Sequence, residues 1–491
     1  MAILAIDAGT TGVTVLVVTA SGDVAARGYQ EFPQHFPQPG WVEHEPEEIW
    51  QATLAAARAA IGRHTGEPLQ AVGITNQRET AVLWDRRTLA APRRAIVWQD
   101  RRTAALCETL RAAGHEPRIS ELTGLRLDPY FTGTKLAWLA EQDDGSWAGI
   151  RAGNVLLGTV DAYVVSRLTA GRVHATDASN ASRTLLFDIG AGEWSDELCD
   201  LLHVPRAALP EVRTSSGDFG RTDPDAFLGL DLPIGGVAGD QQAALFGQAC
   251  FDVGRSKCTY GTGSFVLANT GRSIVRSDSG LLTTVAWDIG DGLVYALEGA
   301  IFVTGAAVQW LRDGLGIISQ APETEALART VPDAGGVVFV PALTGMGAPH
   351  WDPSARGAIF GITRGTTRAH LVRATLEAIA YEVRDVIEVL TRDAGIDLPE
   401  LSVDGGAAAN DLLCELQATE LQRPVRRPKV AETTALGAAF LAGLAIGMWS
   451  STSELAETWQ LDRRFEPGRR DDAGYARWHD AVRRSQNWDR N

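Results

Sequence analysis

Two short tracts of small residues, one near the start of this chain of 491 residues and one just past its middle, constrain its fold more than any other feature. The first tract is residues 7–11 (DAGTT), and the second is residues 260–264 (YGTGS). An apolar run follows each tract, at residues 13–18 (VTVLVV) and at residues 265–268 (FVLA). A bend of small residues that opens onto an apolar run is typical of a strand–turn–strand hairpin. The pattern therefore predicts two hairpins of the same kind, one in each half.

Both hairpins are suited to binding phosphate. Glycine and threonine at the bend offer backbone N–H groups and hydroxyls to phosphate oxygens. Asp7 precedes the first bend, where its carboxylate can hold Mg²⁺, often through water. A duplicated phosphate hairpin resembles the pattern of the actin-like ATPase fold. We therefore predict an α/β protein with two actin-like ATPase (ribonuclease H-like) lobes and an active site in the cleft between them.

Composition restricts the class of partner. A formal net charge of −16 leaves no basic stripe for a nucleic-acid backbone, although a local site with Mg²⁺ can still hold one triphosphate. The only lysines are Lys135, Lys257 and Lys429, and none of them follows a glycine, which excludes a P-loop. The five cysteines are odd in number and lack CxxC spacing, as expected of reduced thiols in a cytoplasmic protein.

No segment of the sequence is expected to enter a membrane. The N-terminus runs directly into an apolar strand without a basic region or a cleavage site, so we expect no signal peptide. Residues 433–453 carry no charge and are long enough to span a bilayer. Their glycines and their polar end favour a packed core helix rich in alanine and glycine instead.

The predicted order of secondary-structure elements is the same in both halves. Residues 1–30 alternate apolar runs with turns and predict a three-stranded meander, followed by a helix at 47–62 and a strand at 71–75. The order recurs with strands near 256–260, 265–269 and 281–287, a helix near 305–312 and a strand at 337–340. We predict lobes of residues 1–249 and 250–491, joined by short hinges.

Asp240 stands where an apolar, glycine-rich strand meets the start of a predicted helix. Strand ends border the clefts of α/β proteins, and a helix N-terminus keeps a carboxylate ionised. Phosphorylating an alcohol requires a base within hydrogen-bond reach of the hydroxyl, and an aspartate supplies it in protein kinases. Aspartate is also a favoured helix N-cap. Position alone therefore leaves two interpretations of Asp240 open, a catalytic base and a structural cap.

An adjacent charged pair, Arg78 and Glu79, lies within five polar residues between two apolar strands, at 76–80. Guanidinium donors and carboxylate acceptors can hold neighbouring hydroxyls in one orientation. Such a pair is otherwise most often a solvated surface feature. The polar stretch between two strands favours the edge of a pocket.

Several long blocks, in order along nearly the whole chain, carry a resemblance to a known family. They are residues 40–44 (GWVEH), 73–80 (GITNQRET), 130–138 (YFTGTKLAW), 180–184 (NASRT), 238–247 (AGDQQAALFG) and a discontinuous signature within 357–377. Together they resemble the FGGY carbohydrate kinases, and among these the glycerol kinases.

This resemblance implies ATP-dependent phosphorylation of glycerol to sn-glycerol 3-phosphate, with Asp240 as the general base of an in-line transfer. It also implies a small-molecule substrate and a homo-oligomer, either a dimer or a tetramer. Aromatic faces would cover the carbon side of the triol while the charged pair takes its oxygens. The substrate-binding residues that it implies are Arg78, Glu79, Trp98, Tyr130, Asp240, Gln241 and Phe265.

The same resemblance implies contacts to ATP and Mg²⁺. Asp7 and Asp240 would hold the metal ion. The nucleotide contacts would come from Thr10, Thr11, Thr262, Gly305, Gln309, Gly406 and Asn410. One departure stands out, because many glycerol kinases continue the first hairpin with two serines and an arginine. This chain has residues 12–14 (GVT) there, so an arginine expected near the phosphates is missing.

Two alternatives remain open from the sequence. One is another sugar or polyol kinase of the same family, such as a xylulose or erythritol kinase. The other is a non-catalytic actin-like nucleotide switch, whose output is a conformation that binds a partner. Asp240 and the pair Arg78–Glu79 weigh against the switch, which needs ATP hydrolysis but no polyol pocket.

Overall fold

The computed structural model describes residues 1–142 and 145–489, and it arranges them around two central β-sheets with helices on their faces. The strands, numbered along the chain, are β1 (Ala2–Ala8), β2 (Gly12–Thr19), β3 (Val24–Glu31), β4 (Glu43–His44), β5 (Leu69–Asn76), β6 (Val82–Asp85), β7 (Ala95–Ile96), β8 (Val155–Gly158), β9 (Ala175–Asp177), β10 (Phe187–Asp188), β11 (Glu193–Trp194), β12 (Glu211–Arg213), β13 (Ile234–Gly239), β14 (Ser256–Tyr260), β15 (Ser264–Gly271), β16 (Leu282–Trp287), β17 (Val294–Ile301), β18 (Val338–Val340), β19 (Ala358–Phe360), β20 (Leu401–Asp404), β21 (Val425–Pro428) and β22 (Leu461–Phe465).

The helices pack on the faces of these sheets and between them. They are α1 (Pro46–Arg63), α2 (Ala104–Ala112), α3 (Glu116–Thr123), α4 (Thr132–Gln142), α5 (Ser146–Arg151), α6 (Val160–Leu168), α7 (Ala178–Ala181), α8 (Asp196–Leu201), α9 (Asp240–Gly247), α10 (Gly305–Gln309), α11 (Glu323–Ala328), α12 (Arg368–Ala394), α13 (Asp411–Leu421), α14 (Thr433–Ala445), α15 (Thr452–Thr458) and α16 (Asp472–Ser485).

The first sheet has the strand order β13-β5-β1-β2-β3. Strands β1, β2 and β3 form an antiparallel meander, and β5 and β13 continue the sheet in parallel with β1. Helices cover both faces, so β1 is apolar and buried along its length except at Asp7. Because β1, β5 and β13 run in the same direction, their carboxyl ends meet at one edge of the sheet.

The second sheet repeats this plan, with the strand order β16-β17-β15-β14-β20-β21-β22. Strands β14, β15 and β17 form the antiparallel meander, and β20 and β21 follow in parallel with β14. Strands β16 and β22 are additions at the two edges. The duplication that the two small-residue hairpins predicted is therefore present in the sheets.

Three details differ from the predictions. Strand β17 was not predicted, because Glu298 interrupts its apolar run with a charge. The strand predicted at 337–340 exists as β18, but it pairs with β19 outside the central sheet, and β20 takes its place. The single helix predicted over 433–453 is two helices, because Gly447 adopts a left-handed backbone conformation (φ 72°) that ends α14.

Helix α14 follows β21 of the second sheet but packs on the first sheet, against β1, β5, β13 and α9. Helix α14 lies close to α9 and to the first sheet because glycines face backbone carbonyls at these contacts. A Cβ on Gly437 would overlap the carbonyl of Ala243, and a Cβ on Gly73 would overlap that of Ala438. The predicted boundary at residues 249 and 250 thus separates the two sheets but not this helix, and it stays a prediction.

Two further features bear on the sequence predictions. All five cysteines are buried and free. Among the residues that the structure describes, no helix is both long and apolar enough to cross a membrane.

The C-terminal helix α16 is held on α12 by a cluster of hydrogen-bonding side chains around Asp385. Tyr475 donates to the Asp385 carboxylate, and His479 Nε2 lies 3.1 Å from its Oδ1. His350 approaches the other carboxylate oxygen at 3.8 Å. The hydrogen bond to Asp385 raises the pKa of His479 above its ordinary value. The charged form of His479 therefore favours the folded state.

We expect His479 to stabilise the fold in a pH-dependent way. Because its folded pKa is raised, its contribution is fully present below its ordinary pKa of about 6.5 and is lost as pH rises through the folded value. His479→Gln should lower the thermal midpoint more at about pH 6 than at about pH 9. In an Asp385→Asn background this pH dependence should disappear. An equal loss at both pH values would contradict the assigned pairing.

We expect Gly437→Ala to destabilise the protein by about 1 to 3 kcal/mol, because the new Cβ forces α14 away from α9. Gly62→Ala is the matched control. Gly62 lies in α1 with open space around the position of a Cβ, so alanine there should be neutral or stabilise by up to about 1 kcal/mol. Urea denaturation of both variants measures the difference. Equal stabilities would show that the contact between α9 and α14 tolerates expansion.

Candidate active site

Two carboxylates face each other where the first sheet ends. Asp7 is next to last in β1, level with Thr75 of β5, and Asp240 begins α9 directly after β13. Burial, and then the nearby charge of Asp240, raise the pKa of Asp7 to about 7. Both predicted metal-binding residues therefore lie at one edge, where the first phosphate hairpin bends.

Arg78 follows β5 at the same edge and is almost fully buried. Its Nε lies 3.1 Å from Asp240 Oδ1. Nη1 donates to Glu298 Oε2 at 2.6 Å and to Gln242 at 3.1 Å. Nη2 donates to Glu298 Oε1 at 3.2 Å and to the Tyr130 hydroxyl at 3.3 Å. Protein oxygens thus accept hydrogen bonds from both terminal nitrogens, and Nε lies beside the predicted base.

Glu79 is buried beside it in a backbone conformation that side chains rarely adopt, with φ at 61°. Its carbonyl accepts from Thr132 Oγ1 at 3.1 Å and from Lys135 Nζ at 3.4 Å. Its carboxylate accepts from Arg183 Nε at 2.6 Å. Strain of this kind persists only where the surroundings impose it and is common at functional sites. The residues Arg78 and Glu79 are therefore a buried charged pair. They are not the solvated surface pair that the sequence also allowed.

Lys135 is fully buried beneath this pair, in α4. It donates to the carbonyl of Tyr130 at 2.5 Å as well as to that of Glu79. Burial lowers the pKa of Lys135 to about 7, and nearby carboxylates oppose this shift only in part. One side chain therefore fixes the backbone at two of the predicted substrate-binding residues.

The three predicted aromatic residues lie next to Arg78 or to one another. The rings of Trp98 and Tyr130 meet edge to face, with centroids 5.6 Å apart. The Arg78 guanidinium lies 5.7 Å from the centre of the Phe265 ring. Trp98 Nε1 also donates to Thr10 Oγ1 at 2.9 Å, which links this wall to the first hairpin. Phe265 belongs to β15 of the second sheet, so both halves of the chain contribute residues around Arg78.

Gln241, the remaining predicted substrate residue, follows Asp240 in α9. Its side chain accepts a hydrogen bond from Lys257 of β14. Lys257 is fully buried and also donates to Thr259 Oγ1 at 2.8 Å. A side chain of the second sheet therefore holds the residue next to the predicted base.

Five of the seven predicted nucleotide residues lie around the two hairpins. Thr262 is exposed at the bend of the second hairpin, and its carbonyl accepts from the backbone of α10, which begins at Gly305. Gly406 follows Gly405, whose missing Cβ leaves room for the carbonyl of Tyr260. Thr262, Gly305 and Gly406 are therefore neighbours around the second hairpin, and Thr10 and Thr11 lie at the first.

Two predicted nucleotide residues make no contact with these hairpins through a described hydrogen bond. Gln309 is exposed at the end of α10. Asn410 caps α13 by accepting from the Leu413 N–H at 3.0 Å, and it donates to Thr324 at 3.1 Å. Their predicted roles stay predictions.

Four residues of the site have no role in the sequence-based prediction. A signal was present for Glu298, because a charge in an otherwise apolar strand requires a buried partner. Two of the three lysines of the chain are among them. They are Lys135, Arg183, Lys257 and Glu298.

Two observations limit what else the structure offers. Among the described residues, no group of three or more histidine, cysteine, aspartate or glutamate side chains is arranged to hold a metal ion. A cavity of about 620 Å³ lies between β18, α12, α13 and α16, and none of the predicted site residues lines it.

Comparisons with known proteins identify the family of the chain. Residues 2–247 match the FGGY family of carbohydrate kinases, N-terminal domain, and residues 256–446 match its C-terminal domain. The chain belongs to the FGGY family of carbohydrate kinases. Glycerol kinase 2 of Thermotoga maritima is 54% identical over 493 residues, which is 99% of each chain.

Solved structures extend the comparison. A crystal structure of Plasmodium falciparum glycerol kinase with ADP superposes with a TM-score of 0.89 at 34% identity, over 99% of this chain and 98% of that one. A ligand-bound xylulose kinase from Lactobacillus acidophilus has a TM-score of 0.86 at 21% identity, over 99% and 96% of the two chains, which shows the shared fold alone. The predicted two-lobed actin-like fold and the family resemblance are confirmed.

Proposed function

We propose that this protein transfers the γ-phosphoryl group of ATP to glycerol and releases sn-glycerol 3-phosphate. Membership of a kinase family makes ATP a substrate. The choice of glycerol is supported by full-length identity of 54% to a protein named glycerol kinase. The main structural support for the proposed site is that Arg78 and Glu79 are buried next to Asp240. The guanidinium of Arg78 lies 3.1 Å from the carboxylate of Asp240.

In this proposal Asp240 accepts the proton of the attacking hydroxyl. It begins a helix, is partly exposed and lies at the sheet edge where the first hairpin bends, and this supports a position between acceptor and donor. The positive end of the α9 macrodipole and the Arg78 guanidinium both lie beside its carboxylate. Phosphoryl transfer depends mainly on the positioning of the reactants and on stabilisation of charge in the transition state. An aspartate in these surroundings is therefore sufficient as the base.

Arg78 and Glu79 orient the other hydroxyls of the triol. A guanidinium donates and a carboxylate accepts, so the pair distinguishes neighbouring oxygens by their hydrogen-bond direction. Trp98, Tyr130 and Phe265 cover the carbon chain. Closure of the two lobes excludes water, which would otherwise compete as acceptor.

The donor set suits Mg²⁺, which the proposed reaction requires. Magnesium binds through one or two carboxylates together with water and substrate phosphates, and not through a cage of protein ligands alone. Asp7 and Asp240 are two such carboxylates, and their mutual repulsion contributes to the raised pKa of Asp7. They would hold the ion, which when bound neutralises charge on the phosphates.

ATP would contact both hairpins. Thr10 and Thr11 would meet the phosphates from the first sheet and Thr262 from the second. Gly305, Gln309, Gly406 and Asn410 would line the adenosine and ribose side. The exposed threonines at the two bends support this arrangement.

An assay of ADP release against a panel of acceptors tests the function. Glycerol, erythritol and xylulose are compared at equal concentration with ATP and Mg²⁺. We expect the highest kcat/KM with glycerol. A preference for a five-carbon ketose or for erythritol would favour the alternative kinases, and acceptor-independent hydrolysis would favour a nucleotide switch.

The cytoplasmic location, the oligomeric state and the division into two lobes also remain proposals. The free, buried thiols suit a reducing compartment, and ATP as substrate suits the cytoplasm. The family resemblance supports a dimer or tetramer. The division into a first lobe of residues 1–249 and a second of 250–491 is supported by the two sheets, which lie on either side of it.

We expect Asp240→Asn to bind glycerol almost normally but to lose most turnover. Loss of a general base typically lowers kcat by about 10²- to 10⁴-fold, or roughly 3 to 5 kcal/mol of barrier. Asp231→Asn is the control, because Asp231 is an exposed carboxylate paired with Arg221. Steady-state kinetics distinguishes them. Turnover of Asp240→Asn close to that of wild type would remove the assigned base.

We expect Arg78→Ala to raise the KM for glycerol by roughly one to three powers of ten, because the lost hydrogen bonds act in the ground state as well as in the transition state. Arg384→Ala is the matched control. Arg384 is a buried arginine of α12 that pairs with Glu420 and touches no predicted site residue. Its glycerol KM should stay at the wild-type value. An unchanged KM in Arg78→Ala would exclude Arg78 from substrate binding.

A further inference from the structure

A single carboxylate of the second sheet reaches into the site of the first. Glu298 lies in the middle of β17, opposite Leu267 of β15 and Leu282 of β16, and its side chain is fully buried. Every other residue of that strand is apolar or glycine, apart from the tyrosine near its start. A charge in this position requires partners of opposite sign.

Both partners of Glu298 come from the first half of the chain. Its Oε2 accepts from Arg78 Nη1 at 2.6 Å, and its Oε1 accepts from Arg183 Nη2 at 2.8 Å and from Arg78 Nη2 at 3.2 Å. Arg183 lies just after α7 and is itself fully buried. One carboxylate of the second sheet therefore joins two guanidiniums of the first half.

The bonds of Glu298 determine how Arg78 is oriented. Both terminal nitrogens of the Arg78 guanidinium donate to Glu298, so its plane is fixed by a bidentate pair. Nε is left pointing toward Asp240. Without Glu298, the terminal nitrogens would keep only the neutral acceptors Gln242 and Tyr130.

The same carboxylate acts on Glu79 through Arg183. Arg183 uses Nε for Glu79 and Nη2 for Glu298, so its position depends on both. Burial disfavours the charged form of Glu298, but the guanidiniums of Arg183 and Arg78 outweigh burial and lower its pKa to about 2. Glu298 is therefore ionised at any pH at which the protein works.

We propose that Glu298 is a positioning residue for the acceptor substrate, which sets the orientation of Arg78 directly and that of Glu79 through Arg183. The acceptor site is then complete only when a carboxylate of the second sheet is in place. This inference rests on the proposed function, since it assigns Glu298 to the binding of the same polyol. In this proposal Glu298 acts through Arg78 and Arg183 and not directly on the reacting atoms.

The test compares the KM for glycerol with the KM for ATP in the full-length protein. Glu298→Gln keeps the shape of the side chain but removes its charge. We expect it to raise the glycerol KM at least tenfold and to change the ATP KM less than threefold. Glu298→Asp keeps the charge and should recover most of the wild-type glycerol KM.

Glu420→Gln is the matched control for loss of a buried carboxylate. Glu420 accepts from Arg384 at 3.0 Å on the far side of the second half and touches no site residue. It should lower stability without changing either KM. The inference is overturned if Glu298→Gln leaves the glycerol KM within threefold of wild type, if both KM values rise together, or if Glu420→Gln has the same effect.

A second variant keeps the test decisive if Glu298→Gln does not fold. Glu298→Gln combined with Arg183→Gln removes one charge of each sign and preserves the net charge of the buried cluster. Its glycerol KM should still be raised at least tenfold, and a wild-type value would overturn the inference. Failure of the proposed function is a separate outcome, because wild-type protein would then show no glycerol-dependent ADP release.

Discussion

Burying the guanidinium of Arg78 costs free energy that only nearby carboxylates offset. The fold supplies them from three places: Glu79 from the same loop, Asp240 from the start of α9, and Glu298 from the second sheet. Arg183 adds a second buried cation and makes the cluster a network. Because its members come from both sheets, the cluster ties the acceptor site to the way in which the two halves pack.

The local parts of this arrangement could be predicted from the sequence. Each predicted phosphate hairpin is encoded within a few consecutive residues. Its glycines and threonines predict both the bend and the binding of phosphate. Asp240 follows an apolar strand directly, so its place at a sheet edge follows from strand and helix order alone. Arg78 and Glu79 were predicted as site residues because five polar residues lie between two apolar strands.

The remaining parts depend on contacts between residues far apart in sequence. Glu298 meets Arg78 across 220 residues, and no periodicity in β17 specifies which charge it will face. Arg183 stood within a block that marked the family but had no role, because its two partners lie in different halves. Strand β18 was predicted at the right residues and in the wrong sheet, since strand order is decided by packing against α12 and α16.

The return of α14 to the first sheet has a mechanical consequence. The chain crosses from the first half to the second after α9, crosses back before α14 and crosses a third time before β22. Gly247 at the first crossing lies against the carbonyl of Thr433 at the second. Two connections that lie next to each other define a single hinge axis between the two halves. They permit rotation about a common axis and resist sliding and twisting. The largest displacement then falls at the end remote from that axis, so opening would separate the halves there without uncoupling them at the hinge.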